Sequence, residues 1–373
     1  MRTVYKFKKI ANQTKNVLVV EQGTITALLT EKDILPTDRV EDYSQYNALP
    51  GFIDCHMHGA LSFDVATCGA EKLVELAKGL YRHGEAAFMP TIPAAHPVQN
   101  RQALQDIQKA MEITWETPET AKILGCHMEG PFMCEKYKGA LDESAFCDAT
   151  PENWEHLTGA YAHVVKRMTV DPLRPGVIEM IPHFTRQGIQ ISLGHTAADS
   201  DTIDWALQAG ATSVTHLYNA MSALHHREPG TVGAALASDA CYCEIIADFL
   251  HVHPKAVKLA IKAKTPGKMA VITDSCQAAG MPDGEYVLGG RLVHVINGEA
   301  RMPEGQLASS TVFMDKELTN ILSLGFTLDD CAKMLSENPA YLSGENCLGA
   351  LSVGKLFMAV VTDDHGNIQS ILS

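Results

Sequence analysis

The chain has 373 residues, with 44 acidic against 30 basic side chains and a formal net charge of −14, and it is 46% hydrophobic and 20% charged. That size and balance fit a globular protein with a large core, on the scale of one barrel plus an appendage. The acidic excess argues against a nucleic-acid binder, which needs a basic face, and no apolar run reaches the roughly 18 residues of a membrane helix, so neither nucleic acid nor a membrane is an expected partner.

The N-terminus carries basic residues with no apolar stretch behind them. It does not read as a secretory signal, and the cytoplasm is the expected location. The 10 cysteines are scattered, with no CxxC and only Cys241-x-Cys243 inside an apolar run. Reduced, mostly buried thiols are expected rather than a disulfide framework.

Residues 1–50 alternate short β-like runs (17–20, 24–29) with turns. Eight short apolar, β-branched runs follow, at 51–55, 86–91, 122–127, 164–170, 189–193, 212–215, 244–247 and 269–273. Their spacing leaves room for a helix after each, and continuous apolar runs suit strands buried on both faces of a parallel sheet. The separators read as helices: Leu73, Leu76, Ala77, Leu80 and Tyr81 share one face, as do Leu104, Ile107 and Met111. Pro254 stands in the first turn of another, ahead of Val257, Ala260 and Ile261. From about 347 the chain turns β-like again, most clearly over 357–362. The expected fold is α/β: a (β/α)8 TIM-type barrel over 51–346, flanked by a small β-sandwich domain built from 1–50 and 347–373.

The chemistry lies at the ends of the runs. The first ends in His56-Met57-His58 and the third in His127-Met128-Glu129. The fifth ends in Gly194-His195 and the sixth in His216. Asp248, with His251 just beyond, follows the seventh, and Asp274 follows the eighth. In such a barrel the C-terminal strand ends share one mouth, where active sites sit. Taken singly, each residue has an ordinary structural reading: a core histidine, a rim carboxylate, a helix cap. Their succession on consecutive strands is what points to a site. Imidazole and carboxylate can hold a divalent ion such as zinc and leave a position for water; the ion brings that water's pKa towards neutrality. If Glu129, His195 and His216 suffice as ligands, Asp274 remains as acid/base. Gly59 and Gly194 would allow tight backbone geometry beside the ion.

These stretches resemble N-acetylglucosamine-6-phosphate deacetylases of the amidohydrolase superfamily. The matching blocks are Pro50-Gly51-Phe52-Ile53-Asp54-Cys55-His56-Met57-His58-Gly59, His127-Met128-Glu129-Gly130-Pro131-Phe132 and Gly194-His195-Thr196. Thr215-His216-Leu217-Tyr218-Asn219-Ala220-Met221, Arg227-Glu228-Pro229-Gly230 and Ile272-Thr273-Asp274 complete them, in order along nearly the whole chain. The resemblance implies that Glu129, His195 and His216 bind the main metal and that Asp274 is the acid/base. It implies substrate contacts from Ala140, Leu141, Asn219, Ala220, His251, Leu307, Ala308 and Ser309, and from Arg227, reaching across a homodimer. His56 and His58 match members with a second metal. The cofactor is expected to be one or two divalent ions, zinc first, with iron or another divalent ion as alternatives.

Three positions depart from the family pattern. Leu141 stands where a sugar-contacting histidine is usual, Phe249 replaces glycine in Ala-Asp-Gly, and Ser309 replaces glycine in Leu-Ala-Gly-Ser. Leucine cannot hydrogen-bond a sugar hydroxyl. The expected reaction is hydrolysis of the acetamide of N-acetylglucosamine 6-phosphate. The alternatives are N-acetylgalactosamine 6-phosphate or another N-acyl compound as substrate, and a non-catalytic regulator that binds sugar phosphate.

Overall fold

The computed structural model describes residues 2–373. Eight parallel strands, counted by position around the barrel, form its wall. They are Phe52–Met57, Glu85–Pro93, Cys126–Glu129, Val165–Val170, Gln190–Leu193, Ser213–Val214, Tyr242–Ile246 and Met269–Ile272, each hydrogen-bonded to the next in chain order. The first and last strands are joined by the Asp274 amide donating to the His56 carbonyl at 2.9 Å and by Thr273 Oγ1 donating to Asp54 Oδ2 at 2.5 Å. All eight apolar runs of the sequence are barrel strands. Their continuous burial follows from helices outside and a filled lumen inside.

The run read as one strand over 122–127 is split into Lys122–Ile123 and Cys126–Glu129. Gly125 between them has φ +134, and a Cβ there would lie 2.3 Å from Lys166 Cγ. The ladder can bend inward at that point only with glycine.

The helices follow the apolar stripes. Ala70–Tyr81 buries Leu73, Val74, Leu76, Ala77, Leu80 and Tyr81, and Pro97–Glu116 buries Ala103, Leu104, Ile107 and Ala110. Pro254–Lys264 opens on its proline and buries Val257, Ala260 and Ile261. Among the described residues, no helix is long and apolar enough to cross a membrane.

Both chain ends meet in a separate six-stranded sheet. Its order is Ile368–Leu372, Ala359–Thr362, Arg39–Pro50, Arg2–Ile10, Val17–Glu21, Thr24–Leu29. Phe7, Ile10, Leu18, Ile25, Phe357 and Val361 make its apolar cluster. A further four-stranded antiparallel sheet, Gly284–Leu288, Arg291–Ile296, Glu299–Arg301 and Leu307–Ser309, follows the eighth strand. Two-residue turns join its first three strands at Gly289-Gly290 and Asn297-Gly298, all four residues at positive φ. Such dipeptides match the twist of a tight hairpin.

Candidate metal centre and active site

At the C-terminal mouth, His56, His58, Glu129, His195, His216 and Asp274 converge as two touching groups: His56 with His58 and Asp274, and Glu129 with His195 and His216. His195 Nε2 and His216 Nε2 are 3.1 Å apart, and Glu129 Oε1 lies 3.1 and 3.2 Å from them. Two ligands bound to one zinc at about 2.1 Å with a tetrahedral angle stand about 3.4 Å apart, so this triangle has the size an ion needs. The second carboxylate oxygen, Glu129 Oε2, is 3.2 Å from His58 Nε2, and Asp274 Oδ1 is 3.3 Å from His58 Nε2 and 3.5 Å from His56 Nε2. Glu129 therefore faces both groups. His56 Nε2 is fully buried and has no hydrogen-bond partner. An orphaned imidazole nitrogen between two carboxylates fits a cation.

The far nitrogens fix the rings. His195 Nδ1 meets the Tyr137 carbonyl at 2.8 Å, His216 Nδ1 the Asn219 carbonyl at 3.1 Å, and His58 Nδ1 the Thr91 carbonyl at 2.9 Å. Each carbonyl requires N–H at Nδ1, so Nε2 is the nitrogen whose proton an ion would displace and whose electron pair would face it. His127, also at a strand end, turns away: its Nε2 meets Thr169 Oγ1 at 2.7 Å. Burial, with the charge of His56, holds its pKa well below the usual value.

Charge within the cluster is balanced internally. Burial lowers the His58 pKa, but hydrogen bonds to Asp274 and Glu129 outweigh it and push it to about 9. Burial would raise the Glu129 pKa, but the His56 charge and the His195 hydrogen bond hold it well below the carboxylate range. Protons on these rings occupy the electrostatic place of cations, and a divalent ion would displace them.

Backbone geometry at the strand ends is unusual. His195, His216 and Asp274 have φ of +50°, +30° and +47°, and Ala220 and Phe249 have +48° and +69°. Left-handed conformation costs a non-glycine residue about 1–2 kcal/mol, and such residues gather where the surrounding structure holds them for function. Phe249 thus holds a backbone conformation that ordinarily suits glycine. At Gly194 a Cβ would come within 2.9 Å of both Thr169 and Thr215, and at Gly59 within 2.2 Å of the Phe63 carbonyl. Both glycines are required by close approach beside the cluster.

A cavity of about 320 Å³ opens over the cluster, lined by Ala140, Leu141, Asn219, Ala220, His251, Leu307 and Ala308 among others. Its volume suits a small molecule. Leu141 packs with Ala94, Met133 and Ala145 in an apolar cluster, and its own side chain offers the cavity no hydrogen-bonding group. Asp248 holds His251 through a 2.7 Å contact to Nδ1. Two expected substrate-contacting residues lie outside the cavity lining. Ser309 is buried and donates to the Asp274 carbonyl at 2.5 Å. Arg227 is exposed, with Nη1 2.9 Å from His226 Nε2. The sequence reading missed two cavity-lining cations, Lys136 and Arg291. Arg291 comes from the four-stranded sheet and donates to the Ala140 carbonyl at 2.9 Å. That sheet roofs the cavity.

No family model matches the chain. It is 33% identical over 360 residues to N-acetylglucosamine-6-phosphate deacetylase of Vibrio furnissii, covering 95% of this chain and 88% of that one. It is 34% identical over 324 residues to N-acetylgalactosamine-6-phosphate deacetylase of Escherichia coli O157:H7, covering 86% and 85%. Its fold superposes on the crystal structure of N-acetylglucosamine-6-phosphate deacetylase from Pasteurella multocida with TM-score 0.91 and 27% identity, covering 100% of this chain and 98% of that one.

Proposed function

Since the chain belongs to the N-acetylglucosamine-6-phosphate deacetylase family of metal-dependent amidohydrolases, we propose that it hydrolyses the acetamide of N-acetylglucosamine 6-phosphate to acetate and glucosamine 6-phosphate. The observation that carries this reading is the Glu129–His195–His216 triangle beside Asp274 on the floor of a sugar-sized cavity. Bound at this centre, a divalent ion supplies Lewis acidity to a water and to the acetamide carbonyl. Its neutral-imidazole and carboxylate donors suit zinc. Glu129, His195 and His216 hold it. His56 and His58, with Glu129 between the groups, fit a second ion.

Asp274 carries the protons. Its carboxylate accepts the proton of the attacking water as the oxygen adds to the carbonyl carbon. It then delivers that proton to the amine nitrogen as the C–N bond breaks. Asn219, Ala220, His251, Leu307 and Ala308 shape the sugar site, with Ala140 and Leu141 as one wall. All ten cysteines are free, which suits the reducing cytoplasm, where we place the reaction.

Acetate release from N-acetylhexosamine 6-phosphates by the zinc-loaded protein tests this. N-acetylglucosamine 6-phosphate is expected to be the best substrate. Faster release from N-acetylgalactosamine 6-phosphate would transfer the assignment to that epimer. Two observations keep it in the comparison: the N-acetylgalactosamine-6-phosphate deacetylase at 34% identity and the apolar Leu141. Release from neither sugar would overturn the proposed activity.

The substrate phosphate would be held by Arg227 of a second copy, making a homodimer the working unit. Arg227 is exposed and outside its own cavity, as a residue serving a neighbour's site must be. A hydrogen bond to a charged group contributes about 1.5–3 kcal/mol. Arg227→Ala should therefore raise KM for the phosphorylated sugar by about tenfold to a hundredfold and leave the unphosphorylated sugar nearly unaffected. Equal losses on both would place Arg227 outside the phosphate site.

A further inference from the structure

The barrel lumen beneath the metal centre holds a buried ion pair where apolar layers would be expected. Arg167 lies on the fourth strand and Glu244 on the seventh, both fully buried. Residues on strands so far apart can touch only across the lumen. Arg167 Nη2 lies 2.5 Å from Glu244 Oε1 and 2.8 Å from Ser213 Oγ, and Nη1 donates to the Leu342 carbonyl at 3.3 Å. The other oxygen of the carboxylate, Glu244 Oε2, faces the site: it is 3.1 Å from His56 Nδ1 and accepts from the His216 amide at 3.3 Å.

Burying such a pair is costly, and apolar residues of similar volume often serve stability as well or better. What they could not supply is the contact at His56. Where His58, His195 and His216 each lean on a backbone carbonyl, His56 leans on a full negative charge. That charge places the proton on Nδ1 and makes Nε2, the nitrogen without a partner, the stronger electron donor. The same carboxylate tethers the strained backbone at His216, so one side chain braces both metal groups.

We propose that Glu244, held by Arg167, is a positioning residue for the metal centre: it orients and polarises His56 towards an ion shared with His58 and Asp274. This deepens the preceding functional reading and rests on it. Its test is zinc binding to the metal-free protein, titrated against a competing chelator for the parent, Glu244→Gln, the Arg167→Met/Glu244→Gln double variant and His56→Ala. The double variant removes both charges together and so avoids an unpaired buried arginine. Loss of such a supporting partner weakens metal binding by about 10–100-fold.

In the single and double variants the zinc site of His56, His58 and Asp274 is expected to lose affinity by that factor. The site of Glu129, His195 and His216 should change less. The buried Nδ1–H proton resonance of His56 in the zinc-loaded parent should shift upfield or vanish in both, a signature that a change in stability alone would not produce. If His56→Ala abolishes the site of His56, His58 and Asp274 while the double variant binds both zinc ions with parental affinity, this proposal fails and the two-ion reading stands. If His56→Ala itself leaves two sites of parental affinity, the ligand role of His56 falls instead, and this proposal with it.

Discussion

Asp274→Asn is expected to lower kcat by about 10⁴-fold or more, the upper end of what a positioned acid/base contributes or beyond it. The carboxylate would act twice in one turnover, on the attacking water and on the departing amine. The substitution should disturb the backbone little, its side-chain cost falling on the contacts to His58 and His56. The amide at position 274 donates to the His56 carbonyl, and its own carbonyl accepts from Ser310 N and Ser309 Oγ. Those bonds are backbone-held, and asparagine tolerates the φ of +47° better than most residues. Two other roles give different outcomes. Asp274 also stands with His56 and His58 as a ligand set; if coordination were its whole contribution, one ion would be lost together with activity. If it only secured the backbone, the melting temperature would fall and turnover would persist. Measuring kcat, metal content and melting temperature on one preparation separates the three. A stable, fully metallated Asp274→Asn protein turning over within a few-fold of the parent would remove Asp274 from the mechanism.

The barrel was legible because its strands are mainly apolar and most of its chemical residues come at run ends, a pattern that parallel strands under helices produce directly. The roof was not. Within 291–296, Val293 and Val295 are buried while Leu292 and Ile296 are exposed, the period-2 alternation of a half-exposed hairpin. Gly289-Gly290 and Asn297-Gly298 mark its turns, but they lie beyond the last run at 269–273, inside the 51–346 stretch assigned whole to the barrel. Arg167 and Glu244 left a trace too, each a charge inside an apolar strand. A charge there has to meet a partner, but which strands face each other across a lumen is a property of closure, not of local pattern. Left-handed backbone at His195, His216 and Asp274 has only a weak sequence signature, since histidine and aspartate enter that region more often than most residues but ordinarily occupy others. At Phe249 the sequence even pointed away from it, because the glycine that would have announced the conformation is replaced.

His195→Ala or His216→Ala should remove most bound metal and reduce hydrolysis to less than about a thousandth of the parent, because the attacking water reverts to its ordinary high pKa without the ion. The expected loss exceeds that of any supporting contact, for which about 10–100-fold in affinity is usual, since each ring is one of only three side chains in the triangle. Both positions also have left-handed backbone, φ +50° and +30°, where alanine has no side-chain compensation. Some of an alanine variant's deficit would then come from the fold. Asparagine is accommodated better in that region and lacks an imidazole nitrogen, so His195→Asn and His216→Asn isolate the ligand loss from backbone strain. Metal analysis and acetate release on all four variants should show the same collapse of both quantities, while circular dichroism of the asparagine pair stays close to the parent. A full metal complement in both the His195 and the His216 variants would mean that the ion sits elsewhere, and the triangle of 3.1–3.2 Å contacts would then be a hydrogen-bonded cluster of the metal-free fold.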